Sequence, residues 1–305
     1  MLRLDRVSKT YKVGSFGRRE LAAVRDVSFE LRPGEVVSLI GESGSGKSTI
    51  GRLILRLARP TSGTITFGDT DVAALRRGAL KEYYREAQGV FQDPFSTYNP
   101  VFKAERVLAM IRQSYFPGTG DAEWSDRVDE ALRAVALSPE QVLDKYPHQL
   151  SGGQLQRLLI ARALLLDIKL LVADEVISML DASTRIDVLN LLADLKERGL
   201  AVLFITHDLA LGNYLADQTV ILRRGSVVER GATAEVFGDP VHPYTRTLLS
   251  SVPRLGVRWT EEELDPGPCR YHAVHPDGGP VLAEVGTDHF VACFALNEER
   301  ECGSS

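Results

Sequence analysis

The sequence predicts an α/β fold with a parallel sheet, and three short apolar runs carry the prediction. They are "VVSLI" at 36–40, "KLLVADE" at 169–175 and "AVLFITHD" at 201–208. Each is a continuous apolar run, not an alternating one, and each gives way to glycine or polar residues at its C-terminal end. That is the pattern of strands covered on both faces, with a site at their carboxyl ends. Between the second and third runs, Ile186, Leu189, Leu192 and Leu195 recur at helical spacing, so the order is strand, helix, strand.

The first run leads into a loop at 41–47 and a helix expected from Lys47 to Leu57. The stretch 93–165 breaks the alternation and reads as mostly helix. Trp124, Val128, Leu132 and Val135 share one helical face, and "SPEQVL" at 138–143 has a Ser-x-x-Gln capping pattern with proline in the first turn. Ser151 and Gln154 form a second such start, before "LQRLLIARALLL". A helical insertion therefore interrupts the sheet domain. Beyond residue 236 the chain turns rich in Pro, Gly and His and is expected to have little regular structure. The sequence has no internal repeat and no low-complexity segment.

With 305 residues, 44% of them hydrophobic, the chain can bury a sizeable core and carry more than one domain. Its net charge of −5 and lack of a long basic block argue against a broad nucleic-acid surface. "MLRLDRVSKTYK" has no apolar signal core, so export is not expected. The richest apolar stretch, "LLIARALLLDIKLLVADEV", is broken by Arg162, Asp167 and Lys169 and is not expected to span a bilayer. All three cysteines lie beyond residue 268, which makes no disulfide framework and fits a reducing cytoplasm.

"GESGSGKST" at 41–49 satisfies G-x-x-x-x-G-K-[ST] and lies between an expected strand and an expected helix, the context in which that pattern is specific. Its glycines let backbone N–H groups wrap anionic oxygens, and the helix start adds its dipole. Lys47 is expected to reach β- and γ-phosphates and Ser48 to hold Mg²⁺. Asp174 ends a strand where a magnesium contact belongs, and Glu175 beside it could polarise a water. A solvated acidic pair capping a strand is the plainer alternative. His207, at the tip of the next strand, could touch a γ-phosphate, although a lone histidine is more often structural.

"LSGGQ" at 150–154 raises a further question, because two glycines in the first turn are costly for a helix. An ordinary capped helix is one reading. The other is that a ligand must approach the bare backbone, and an anion is the natural ligand at a helix start. On that reading the segment is a second phosphate-binding element, which a second copy of the chain, or a similar chain, could present across an interface.

Taken together, Tyr11, "GESGSGKST", Gln92, "LSGGQ", "LLVADE", "SMLD" and His207 resemble the nucleotide-binding subunits of ABC transporters, over roughly residues 2–255. The resemblance implies a P-loop NTPase (RecA-like) core with a parallel sheet, N-terminal antiparallel strands, an inserted helical subdomain and a short C-terminal tail. Residues 1–92 and 166–235 would form the ATPase core, 93–165 the helical subdomain and 236–305 the C-terminal extension. Tyr11 would stack on adenine, and Gly41, Ser43, Gly44, Gly46, Lys47, Ser48 and Thr49 would hold the phosphates. Ser48, Gln92 and Asp174 would bind Mg²⁺. Glu175, His207, Lys47 and Gln92 would carry the hydrolysis of ATP. Asp181 would lie in the loop bridging two subunits, and Ser151, Gly152 and Gly153 would cap the γ-phosphate held by the opposite subunit.

"VFQDPFSTYNP" at 90–100 and "HPYTRTLLSSVP" at 242–253 resemble the ATPases of peptide, nickel and oligosaccharide importers. In that group cysteines in the tail often bind an iron–sulfur cluster. Here Cys269, His275 and Cys293 mark the corresponding positions, with histidine in place of a second cysteine and an intervening cysteine absent. With His272 and His289 the set could hold zinc instead, and a metal-free relic is the third reading. Val176 stands where the family has proline, and Ile177 is also unusual. The change is expected to reshape the bridging loop slightly and removes no chemical group.

The resemblance implies a peripheral subunit on the cytoplasmic face of the cell membrane, powering uptake of peptides or a related solute. Its partners would be a second ABC ATPase subunit (identical or related), two transmembrane permeases and an extracellular solute-binding protein, with no nucleic acid. A soluble ABC-type ATPase acting on nucleic acid or ribosomes is the main rival, followed by a binding-only regulatory subunit and an exporter.

Overall fold

A computed structural model describes residues 1–13, 19–178, 180–251 and 282–292. The chain divides into two compact units, Met1–Ala74 with Phe204–Ser305, and Leu75–Leu203.

The first unit opens with β1 (Leu2–Val13) and β2 (Arg19–Leu31), antiparallel with Leu2 opposite Leu31 and Tyr11 opposite Leu21. Leu2 and Leu4 are buried while Arg3 and Asp5 face out, the period-two alternation of a half-buried strand. Register shifts between Leu4 and Val7, where Arg6 takes φ 47°, carry the apolar set on to Val7. Then come β3 (Val36–Ile40), buried at every position, α1 (Lys47–Ile54), β4 (Ser62–Phe67) and β5 (Thr70–Asp71). The antiparallel sheet runs β2-β1-β4-β5, in agreement with the expected N-terminal antiparallel strands. The helix α1 stops at Ile54, short of the expected Leu57. Arg56 is left-handed at φ 57°, and the N–H groups of Leu57 and Ala58 both turn back onto the Arg52 carbonyl.

The second unit contains α2 (Arg77–Glu86), β6 (Ala87–Val90), α3 (Pro94–Thr97), α4 (Arg106–Tyr115), α5 (Asp121–Ala134), α6 (Pro139–Val142), α7 (Gly152–Leu164), β7 (Leu170–Asp174) and α8 (Ala182–Glu197). Strands β6 and β7 are parallel, with Ala87 opposite Leu170 and Val90 opposite Ala173. In α5, Val128 and Leu132 are buried and Trp124 is half-buried. Ser138 and Gln141 form the expected capping box on α6, which runs for a single turn. On α8, Leu189, Leu192 and Leu195 face inward, whereas Ile186 is 46% exposed, so the apolar spacing overstates the buried face by one residue.

The boundary between the units falls inside β8 (Ala201–Thr206). The first unit then resumes with α9 (Leu209–Leu215), β9 (Gln218–Arg223), β10 (Ser226–Ala232), α10 (Thr233–Gly238), α11 (Pro243–Ser250), β11 (Leu282–Gly286) and β12 (His289–Ala292). Its strands run β11-β12-β10-β9-β3, with β3 and β9 parallel and the others antiparallel. The parallel pair carries a buried hydroxyl chain, Ser38 Oγ to Thr219 Oγ1 at 2.8 Å and on to Thr233 Oγ1 at 2.9 Å.

The expectation of little regular structure after residue 236 is corrected by α11 and the β11–β12 hairpin. Proline at the first position of α11 presets its φ, and the His242 side chain caps it. In the hairpin, Phe290 and Val291 pair with Arg230 and Glu229, so β10 supplies the ladder that the short strands cannot make alone.

Candidate active site

In the first unit, β3 runs into the glycine-rich loop and then α1. A Cβ on Gly41 would lie 2.2 Å from the Leu222 carbonyl oxygen. Gly46, at φ 105°, would bring a Cβ within 2.4 Å of the Ala23 oxygen, so only glycine fits there. As the N-cap of α1, Gly46 offers no capping side chain, and the first turn holds no acidic residue. The helix start is thus left to an external anion by its own sequence.

Lys47 is 5% exposed. Its Nζ donates to the Gly41 carbonyl at 2.7 Å and the Glu42 carbonyl at 2.8 Å, with Ser45 Oγ at 3.5 Å. The loop oxygens thus hold a buried ammonium at the start of α1, where its positive charge suits an anionic ligand. Ser43, Gly44 and Ser48 are exposed around it, and Thr49 is half-buried. Tyr11 is half-buried on β1, with the Lys9 ammonium 4.9 Å from its ring centroid, so the ring offers a flat face with a cation beside it. His207 is exposed, between the end of β8 and Asp208, the residue that caps α9.

In the second unit, the parallel register of β6 and β7 places Gln92 and Glu175 beyond the same edge of the strand pair. Each lies two residues past the last paired position of its strand. Gln92 is exposed and Glu175 half-buried, while Asp174, the last residue of β7, is 6% exposed. Glu175 adopts φ 50°, a left-handed conformation that a non-glycine residue takes at a cost. Val176 and Ile177, the two departures from the family pattern, are each 2% exposed and belong to the core.

Ser151 caps α7 by a full capping box. Its Oγ accepts from the Gln154 N–H at 3.2 Å, and its own N–H donates to Gln154 Oε1 at 3.0 Å. Ser151 is exposed, Gly152 half-buried and Gly153 buried. Asp181 caps α8, accepting from Ser183 Oγ at 2.6 Å, the Thr184 N–H at 3.0 Å and Thr184 Oγ1 at 2.8 Å. The Ser183 hydroxyl and the Thr184 donors hold its carboxyl below the usual carboxylate range. Thr184 escaped the sequence reading, although Asp-x-x-Thr before an apolar helix is a visible cap signal. Tyr244, whose hydroxyl accepts from the Glu42 N–H at 3.2 Å, carries no sequence signal for that contact.

Cys269, His275 and Cys293 lie outside the described residues, as does His272. Among the described residues no group of three or more His, Cys, Asp or Glu side chains is placed to hold a metal. The described member of that set, His289, is buried with its Nε2 2.8 Å from Glu229 Oε1.

Residues 24–178 match the family described as ABC transporter, and residues 228–278 match the oligopeptide/dipeptide transporter C-terminal region. A Brucella ovis relative named "Putative peptide import ATP-binding protein" is 40% identical over 296 residues, covering 91% of this chain and 93% of its own. The glutathione import ATP-binding protein GsiA of Salmonella paratyphi A is 44% identical over 243 residues, covering 79% of this chain and 39% of its own. Among solved structures, the dimeric post-hydrolysis state of the ATP-binding cassette MJ0796 bound to ADP and Pi superposes with a TM-score of 0.69. It is 32% identical and covers 76% of this chain and 99% of that one.

Proposed function

Since the chain belongs to the ABC transporter ATP-binding family, we propose that it is the ATP-hydrolysing subunit of an importer for peptides or a related solute such as an oligosaccharide or nickel chelate. One observation carries the reading: the Lys47 ammonium is buried among loop carbonyls at the uncapped start of α1. The names of the relatives, peptide import and glutathione import, support the choice of cargo, as does the match of residues 228–278.

In this reading Tyr11 stacks on adenine, and the 41–49 backbone with Lys47 spreads over the γ-phosphoryl charge as it develops. Ser48, Gln92 and Asp174 are the residues that would hold Mg²⁺, which supplies charge neutralisation at the β- and γ-oxygens when bound. Glu175 accepts the proton of the attacking water, and His207 orients it. Ser151, Gly152 and Gly153 cap the γ-phosphate held by a second ATPase subunit, identical or related, while Asp181 lies at the junction. The dimeric structure of the MJ0796 cassette supports such pairing.

Residues 1–92 and 166–235 form the ATPase core in this proposal. Residues 93–165 relay its state to two permeases through the segment after Gln92, where Phe95, Val101 and Phe102 are exposed apolar side chains. Residues 236–305 are the extension. An extracellular solute-binding protein selects the cargo. No described helix is long and apolar enough to cross a membrane, and the proposed location is peripheral, on the cytoplasmic face.

The test is Glu175→Gln in the assembled transporter. The variant is expected to bind ATP, to dimerise and to stop hydrolysing. Turnover at the wild-type rate would remove Glu175 from its role, and failure of the wild-type chain to bind ATP would remove the whole reading.

A further inference from the structure

The segment "VHPYTRTLLS" forms the start of α11, and its first turn is tied to a buried carboxylate. Glu229 is fully buried on β10, where an unpaired carboxylate would be costly. Its Oε1 accepts from the Val241 N–H at 2.8 Å and faces His289 Nε2 at 2.8 Å. Its Oε2 accepts from the His242 N–H at 3.0 Å. His242 Nδ1 in turn accepts from the Tyr244 N–H at 3.0 Å. One carboxylate thus joins β10, the tail hairpin and the entry to α11.

The Tyr244 side chain is aimed by this arrangement. Its ring packs in the apolar cluster of Ile40, Leu209, Ile221, Val228 and Val236, with the Arg223 guanidinium 5.1 Å from the ring centroid. Its hydroxyl accepts from the Glu42 N–H at 3.2 Å. That N–H belongs to the same peptide group as the Gly41 carbonyl, which accepts from Lys47 Nζ at 2.7 Å. The Gly41–Glu42 peptide is therefore held at both ends, by Tyr244 on its N–H and by Lys47 on its carbonyl. An amide whose N–H is accepted is polarised and becomes the better acceptor, so the two bonds support each other.

We propose that Tyr244 is a positioning residue of the phosphate loop. Its hydroxyl fixes the plane of the Gly41–Glu42 peptide and so aims the carbonyl that holds Lys47, and the Glu229 hub, closed by His289 from the tail hairpin, keeps Tyr244 in place. The inference rests on the reading of residues 41–49 as the ATP site. It gives the C-terminal extension a task inside the nucleotide site itself: a loop already in its binding shape loses less freedom when ATP arrives.

The experiment compares the full-length wild-type chain with Tyr244→Phe, which keeps the ring and removes only the acceptor oxygen. Affinity is read with a fluorescent ATP analogue, order in residues 41–46 by amide hydrogen exchange, and integrity by the thermal unfolding midpoint. KM and kcat are read in the assembled transporter. Tyr244→Phe is expected to raise Kd and KM roughly fivefold, the worth of one ordinary hydrogen bond, to speed exchange in the loop, and to leave kcat within about twofold.

A variant with wild-type Kd and wild-type exchange overturns the inference. So does a loss confined to kcat, because it would place the hydroxyl in the chemistry and not in the loop's posture. Two further variants report on the hub even if Tyr244→Phe folds poorly. His289→Gln keeps a donor towards Glu229 and should match the wild type, whereas His289→Ala should raise Kd; an unchanged Kd in His289→Ala removes the hub. If the wild-type chain itself fails to bind the analogue, the reading of the ATP site has failed. If it binds and the variants are indistinguishable from it, only the inference has.

Discussion

Gly153 of α7 lies so close to Thr184 of α8 that a Cβ on the glycine would sit 2.5 Å from Thr184 Cγ2. The two glycines of "LSGGQ" therefore have different physical reasons. Gly153 is buried and leaves room for a neighbour in its own chain. A Cβ on Gly152 would meet nothing nearer than Leu180 Cδ2 and Phe95 Cε2, both at 3.9 Å, so its bare backbone is consistent with the approach of a ligand. Because Thr184 Oγ1 also donates to Asp181 Oδ2, the packing of Gly153 bears on the cap of α8.

Gly153→Ala is expected to push Thr184 off its rotamer, break its bond to Asp181 and cost about 1–3 kcal/mol, the usual penalty of overpacking. Gly152→Ala should be neutral or slightly stabilising, since the space is there and alanine is the better helix former. Thr184→Ser removes the clashing methyl and keeps the hydroxyl, so Gly153→Ala/Thr184→Ser should recover about half of the loss. Thermal unfolding of the four chains checks the argument. Equal melting of the two glycine variants would refute it.

The parts that the sequence made legible are those whose partners are close along the chain. The apolar runs became β3, β7 and β8, and the capping boxes at Ser138 and Ser151 formed because both members of each lie three residues apart. The contacts that escaped it are separated by long stretches of chain. His289 meets Glu229 across 60 residues, and Tyr244 meets Glu42 across 202. No periodicity or turn signal announces such a pair, because the sheet that brings them together is itself the product of folding. The tail hairpin was missed for a related reason: its short strands become stable only against β10. Likewise the phosphate loop is legible from its residue spacing and its place between a strand and a helix, whereas the clash of Gly46 with Ala23 needs β2 in place.

Glu175 combines a proposed chemical role with a backbone conformation that opposes it. At φ 50°, any side chain with a Cβ is strained, and the Ser178 N–H and Oγ hold the Glu175 carbonyl at 3.1 and 2.9 Å. Glycine relieves that strain and alanine does not, although glycine carries more freedom in the unfolded chain. Glu175→Gly is therefore expected to be more stable than Glu175→Ala by up to about 1 kcal/mol, the reverse of the order in a helix, with hydrolysis lost in both. Denaturant titrations of the two variants check it. An alanine variant that outlasts the glycine variant would show that the turn imposes no strain.

The last expectation concerns acid. Burial, aided by the charge of Arg223, pushes the His242 imidazole down from 6.5 to about 3, and Nδ1 must stay unprotonated to accept from the Tyr244 N–H. Between those two values the unfolded chain takes up a proton that the folded chain refuses, so folding stability rises with pH across the window. The contribution is complete above pH 6.5, declines as the pH falls, and is exhausted near pH 3. His242→Asn places a side chain that caps a helix equally well and does not titrate. Its unfolding free energy should vary with pH less steeply than that of the wild type between pH 6 and 4, by up to about 1.4 kcal/mol per unit, the limit for one proton. Urea titrations at half-unit intervals measure the two slopes. Parallel lines would mean that His242 takes its proton in the folded chain as readily as in the unfolded one, and the neutral cap of α11 would have to be abandoned.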